Sequence, residues 1–409
     1  MAVNGADKVS GGQNLVPRIG TLMSHDNAAA RPDSSADSLA AAPGAHRGIL
    51  PDQALVSLID AGEISAATAI LPEQVQPASL DLRLGSVAYR VRASFMPGPG
   101  VPVFDKIDQF GMHSIALTDG AVLERGCVYI VPLQEKLALA SRLSAFANPK
   151  SSIGRLDVFT RVITDGGTAF DRVPDGYDGP LYAEIAPRTF SIQVREGSRL
   201  CQLRLRRGTP TLAAGALRDL HERHRLVESA ADIAPIIRDD LIGVTLDLAA
   251  LGGDGPIGFR ARKHTDIIDV DARGTYDPVE FREPITPHTG GGIVLDPDDF
   301  HVLATRERVA VPPDYAAEMV AYDTLVGEFR VHYAGFFDPG FGFGAGGASR
   351  AVLEVRSHDV PFLLEHGQII GWLRYEKLAG TPDQVYGSDI GSSYQGQGLK
   401  LGKQFTPWT

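Results

Sequence analysis

Cysteine is nearly absent: the chain has 409 residues and only Cys127 and Cys201. Two thiols without CxxC spacing build neither a disulfide framework nor a zinc site, and both lie in strand-like apolar runs. They read as buried thiols of a reducing cytoplasm. No apolar run reaches the ~18 residues a spanning helix requires, so no membrane association is expected. Basic residues are also in deficit. Thirty-nine Lys and Arg against fifty Asp and Glu leave a formal net charge of −11. That balance argues against a sequence-independent nucleic-acid partner, which calls for a basic face to displace counterions. An anionic small ligand would have to be met by a local cluster. Residues 1–47, rich in Ala, Ser, Asp, Asn and Gly, lack the apolar centre of a secretory signal and read as a disordered extension outside the fold.

What the chain does have is turns. Forty-five glycines and 27 prolines separate short Val/Ile/Leu-rich runs, with hydrophobic residues at 44% and charged residues at 22%. This pattern predicts a soluble, mainly β protein with more than one core. Order is expected from Gly48, with a short amphipathic helix starting at Pro51 or Asp52, presenting Leu55, Leu58 and Ile59 on one face and ending at Gly62. In Pro77–Gly85 (PASLDLRLG) the leucines alternate with Ser79, Asp81 and Arg83, the pattern of a half-buried strand. Val122–Leu139 reads as two strands broken around Pro132 and Gln134. The charged segment 216–239 reads as a helical connector.

The chain then repeats itself. Val122-Leu-Glu, Val128–Val131 and Gln134–Leu139 are echoed by Val294-Leu-Asp, Phe300–Leu303 and Arg306–Val311 at a constant offset of 172 residues. Gly179–Ile185 is echoed by Arg350–Val355, each a strand with one glutamate, and Val194–Leu203 by Leu364–Leu373. Three echoes in one order predict two related β domains in tandem, over 48–215 and 240–409. Their polar residues differ. Asn148–Arg155 (NPKSSIGR) places Lys150, Ser151, Ser152 and Arg155 in a small anion receptor, a fork of donors beside two hydroxyls. The matching segment Tyr322–Gly327 has neither the serine pair nor the arginine. The second half has Phe336–Phe341 (FFDPGF) and a tail, Tyr386–Gly398, without counterpart in the first. Complementary sets suggest one site assembled from both halves. Gly335–Gly347 looks like a phosphate-cradling loop but lacks the GK[ST] ending, and reads as a glycine turn before the strand of Glu354.

From Gly48 onward, once per repeat, the chain resembles the dCTP deaminase branch of the trimeric dUTPase-like superfamily. The resemblance rests on Gly48–Gln53 (GILPDQ), Ser79–Gly85, Ser151-Ser-x-x-Arg155, Asp338-Pro-Gly, Val352-Leu-Glu354 and the tail Tyr386 to Tyr394-Gln-x-Gln397. Lys150 stands where the family usually has arginine, and Ser393 where it usually has lysine. The resemblance implies two distorted jelly-roll domains, a homo-oligomer, and active sites of a kind that lie between neighbouring subunits in that family, with the two repeats expected to replace subunits at the interface here. It also implies metal-free hydrolytic deamination of dCTP to dUTP, with magnesium carried by the substrate triphosphate and no zinc. The HxE…PCxxC signature of zinc deaminases is absent.

Hydrolytic deamination needs an activated water, a proton for the departing amine and support for a tetrahedral intermediate. Glu354, on an apolar strand that would raise its pKa, is the preferred base. Glu184 is the rival, since it lies in the equivalent strand and in the repeat that carries the loop. Ser151 and Arg155 would orient water or steady the intermediate, and Ser152 and Lys150 would hold phosphate. Asp338 and Val352 would meet sugar or base, and Tyr386 and Gln397 would close over the ligand. Two other readings stay open: a dUTP diphosphatase or bifunctional deaminase and diphosphatase, and a non-catalytic nucleotide-binding regulator.

Overall fold

The computed structural model describes residues 47–229, 233–250, 255–287, 291–320, 335–344, 349–357, 359–387 and 394–408, and the backbone of 329–332. The extension before residue 47, the segment 322–327, the end of the glycine turn at 345–347 and Ser393 lie outside the described residues.

Strand formation follows period-two burial. In Leu143–Pro149 buried and half-buried residues alternate without a break. That strand lies in a sheet whose order is Val75–Gln76, Ser79–Leu82, Cys201–Arg207, Leu143–Pro149, Arg172–Val173. A second sheet runs Val158–Thr164, Asp178–Pro187, Val128–Ala138, Val87–Val91, Gly111–Ala116. The second half repeats both orders strand for strand. Its first sheet runs Ile237–Arg238, Leu241–Thr245, Ile369–Lys377, Tyr315–Val320, Phe336–Phe337, and its second Phe329–His332, Ser349–Ser357, Phe300–Val309, Gly258–Ala261, Arg282–Ile285. The protein is thus mainly β, two jelly-roll-like halves with short helices, as the turn-rich composition predicts.

The cores are not separate. Phe259, Ile268, Phe281, Phe300, Leu401 and Phe405 from the second half join the buried cluster of the first. Strand Ile268–Asp269 pairs parallel to Ile192–Val194 across the junction. Removing such apolar area from water stabilises by ~25 cal/mol per Å², so the halves hold one another in register.

Three local expectations are corrected. Pro132 does not break its strand: Val128–Ala138 runs through it, because proline lacks only a donor and its carbonyl still accepts from Gly85 N at 2.8 Å. Ser79–Leu82 is buried on both faces rather than one. Its polar side is matched by ions, with Asp81 paired to Lys150, and Arg83 just beyond it 2.8 Å from Glu135. The connector is helical only over Ala214–His224. Arg225 adopts a left-handed φ of 47° that stops the helix, and Leu226 and Val227 turn into the second core instead. The first helix is as expected, Asp52–Asp60, with Leu55 and Leu58 buried. Its Asp52 carboxylate accepts from the backbone N–H of both Asp383 and Gln384 at 3.0 Å, tying the start of the fold to the approach of the tail.

Candidate active site

Asn148–Pro149 ends a strand, and Lys150 N donates to Leu200 O at 2.9 Å. The chain then makes one helical turn, Ser151–Gly154, rather than an open loop. Arg155 N closes that turn onto Ser151 O at 3.1 Å. This coil turns Arg155 inward, where it is 2% exposed.

Arg155 meets the second half there. Its Nη1 donates to Lys400 O at 2.7 Å and its Nη2 to Gln397 Oε1 at 3.1 Å. Its guanidinium lies 4.0 Å from the ring centroid of Tyr394. Nε stands 3.8 Å from Glu354 Oε1 and has no hydrogen-bond partner among the described residues. Glu354 sits on Ser349–Ser357, 4% exposed. Burial raises its carboxyl pKa to about 8, and the nearby Arg155 and Arg282 charges only partly oppose the rise.

Around this pair is a cavity of about 360 Å³. It is lined by Lys150, Ser151, Ser152 and Arg155 from the first half and by Asp338, Val352, Glu354, Tyr386 and Gln397 from the second. Asp338 is held by Arg204, whose Nη2 donates to its Oδ1 at 3.1 Å and whose plane lies 4.0 Å from the Phe336 centroid. Burial raises the Asp338 pKa, against the pull of the Arg204 charge. Tyr386 accepts from Tyr394 N at 3.1 Å, and Gln397 Nε2 donates to Arg350 O at 3.0 Å, so the described part of the tail is packed against the cavity.

Glu184 is not brought there. It occupies the same register as Glu354: Ile130, Glu184 and Arg161 align across one sheet as Val302, Glu354 and His332 do across the other. In its own sheet Glu184 accepts from Arg161 Nε at 3.0 Å and is 1% exposed. The rival base is therefore placed as half of an ion pair, away from Ser151 and Arg155. Glu184→Gln is expected to cost about 1–3 kcal/mol of stability, the worth of a hydrogen bond to a charged group. Denaturant unfolding reads that loss, and turnover of the folded protein should stay at the native level.

Several lining residues had no sequence signal. Arg199, Arg273 and Lys403 join Lys150 at the cavity. They sit far apart in the chain, and only folding gathers them. Burial, then repulsion from Lys150 and Arg273, lowers the Lys403 pKa. Asp81 looked like a solvent-facing strand residue; it lines the cavity with a buried Oδ1 that lacks a hydrogen-bond partner. Phe336, Phe337 and Phe341 give the cavity an apolar, aromatic wall.

A pocket of this volume, lined by cations and aromatic rings together with an acid whose pKa burial raises to about 8, has the make-up of a site for a phosphorylated heterocycle. The family described as 2'-deoxycytidine 5'-triphosphate deaminase (DCD) N-terminal domain matches residues 46–209, and the corresponding C-terminal domain matches 213–405. The dCTP deaminase, dUMP-forming, of Mycolicibacterium vanbaalenii is 33% identical over 143 residues, which are 34% of this chain and 71% of that protein. The dCTP deaminase of Haloarcula marismortui is 31% identical over 143 residues, 34% of this chain and 70% of that protein. The crystal structure of 2'-deoxycytidine 5'-triphosphate deaminase from Agrobacterium tumefaciens superposes with a TM-score of 0.78 at 54% identity, over 83% of this chain and 100% of that one. The chain belongs to the dCTP deaminase family.

Proposed function

We propose that the protein hydrolyses the exocyclic amine of dCTP, giving dUTP and ammonia, with Glu354 as the proton carrier. The observation that supports this most is the buried Arg155–Glu354 pair, 3.8 Å apart, in the wall of the cavity. Glu354 takes a proton from water as the oxygen attacks carbon 4 of the ring and passes it to ring nitrogen 3, giving a tetrahedral intermediate. It then moves the hydroxyl proton of that intermediate to the amino nitrogen, so that the carbon–nitrogen bond breaks, ammonia leaves and the carbonyl at carbon 4 forms. A carboxyl with a pKa of about 8 can hold and release a proton near neutrality, which an exposed glutamate cannot. Arg155 and Ser151 steady the oxyanion of the tetrahedral intermediate. Asp338, Val352 and the phenylalanines hold sugar and base. Ser152, Lys150, Arg199, Arg273 and Lys403 take the triphosphate, which arrives with its own magnesium. Asp81 and Glu73, lining the same cavity, offer that hydrated ion carboxylate oxygens. The reading includes a cytoplasmic homo-oligomer in pyrimidine deoxynucleotide metabolism.

A second reading, deamination followed by pyrophosphate release, is favoured by the partnerless Asp81 Oδ1 among the phosphate-binding cations and by the dUMP-forming name of the Mycolicibacterium relative. Chromatography of the products after incubation with dCTP and magnesium separates the two: dUTP with ammonia supports the first, dUMP the second. Binding without turnover would overturn both.

Lys403→Met is expected to raise KM for dCTP roughly tenfold, the loss of one charge-assisted phosphate contact. Steady-state kinetics should show little change in kcat, because the triphosphate is held alike in the ground and transition states.

A further inference from the structure

Arg282 is the first residue of strand Arg282–Ile285 in the second half, and it is fully buried. It does not line the cavity. Its guanidinium lies among three aromatic rings, 4.9 Å from the centroid of Phe190, 5.3 Å from Phe300 and 5.9 Å from Phe405. Its Nη2 donates to the backbone carbonyl of Arg155. Its Nε and Nη1 are buried and have no hydrogen-bond partner among the described residues.

The contacts with three rings and one carbonyl offset part of the cost of burying this guanidinium, but two of its N–H groups stay unbonded, so stability alone does not single out a cation here. A buried cation with unbonded N–H groups is costly, and an apolar residue of similar length in such an aromatic box is often neutral or stabilising. The cation has a local use. The carbonyl it holds belongs to the residue whose side chain faces Glu354, and its charge acts on two buried carboxylates, Asp157 and Glu354. We propose that Arg282 is a positioning residue for deamination: from outside the cavity it fixes the Arg155 main chain and stands as a second cation behind the Arg155–Glu354 pair. The inference rests on the roles given above to Glu354 and Arg155.

The charged and titratable groups facing Glu354 among the described residues are Arg155 from the helical turn, Arg282, Asp157 from the turn before Val158–Thr164, and Tyr394 from the tail. Arg155 and Arg282 favour the ionised carboxylate, and Asp157 opposes it. Taking Arg282 away removes one of two favourable charges, so Glu354 ionises at higher pH. As the base, Glu354 starts ionised, and the rising limb of activity with pH follows its ionisation.

The test is the pH profile of kcat/KM for ammonia release from dCTP, in the native chain and in Arg282→Met, Arg282→Gln and Arg282→Lys. Each neutral variant is expected to move the rising limb up by about one pH unit, an approximately tenfold loss at pH 7 that fades in alkali. Arg282→Lys should shift the limb by no more than the neutral variants do, because the full burial that lowers the Arg282 pKa to about 9 lowers an ammonium's as well. It should lower kcat about fivefold at unchanged KM, because an ammonium does not reproduce the planar donor fork. A folded neutral variant with a native limb overturns the proposal. If neither neutral variant folds, Arg282→Lys decides: native limb and native kcat together overturn it, and lowered kcat at unchanged KM supports it. Glu354→Gln belongs in the same series. If that variant still releases ammonia, the assignment of the base has failed rather than the role of Arg282.

Discussion

Glu354→Gln should lose ammonia release from dCTP by at least about 10³-fold, within the range general acid–base groups supply, while still binding the nucleotide. The amide is close in size to the carboxyl but cannot take a proton from water. Single-turnover assays with excess protein read the chemical step alone. The same variant should gain stability in alkali. Glu354 has its folded pKa raised to about 8, well above the carboxylate value in the unfolded chain. Its raised pKa therefore favours the fold below the unfolded pKa, and that benefit is lost as pH climbs through about 8. The neutral amide has no such loss. Melting curves at pH 5 and pH 9 should differ less for the variant than for the native protein, with the variant ahead at pH 9. Equal melting shifts at both values would show that the carboxyl is not held protonated.

Arg155→Lys should be nearly as damaging to chemistry, about 10²- to 10³-fold in kcat, the range for removing one oxyanion donor. It should also damage the fold locally. The native guanidinium binds a tail carbonyl and a tail amide while stacking on Tyr394, 4.0 Å away. A lysine ammonium is a point charge without that planar fork. Limited trypsin digestion should then cut the variant after Lys400 and Lys403 sooner than the native chain. A tail as resistant as the native one, in a variant with lost turnover, would separate the two roles of Arg155.

Much of this was written locally in the sequence. The short turn-punctuated strands and the echo at constant offset lead to two halves with identical strand order, because period-two burial and glycine turns are local signals. The Ser-Ser-x-x-Arg run, Asp338, Glu354 and the tail were visible as motifs, and folding gathers them around one cavity. What was not legible depended on long-range packing. Asp81 looked solvent-facing because alternation says which face a side chain takes, not what covers that face. Arg199, Arg273 and Lys403 come to one cavity only after segments distant in sequence meet. Arg282 carried no motif at all, since its meaning lies in a carbonyl more than a hundred residues away. Pro132 misled because a strand tolerates a missing donor where the proline's own carbonyl still has a partner.

The matched register of Glu184 and Glu354 has a consequence for how the chain tolerates change. Each half keeps a buried acid at the same address, but one acid is answered by an arginine of its own sheet and the other by an arginine from the opposite half. In the first half, acid and base can drift together, as any compensating pair can, without touching chemistry. In the second, neither partner is free to move, because the two belong to different halves and meet only at their seam. Variation among descendants of such a gene should therefore be lopsided, with paired exchange at 161 and 184 and stasis at 155 and 354.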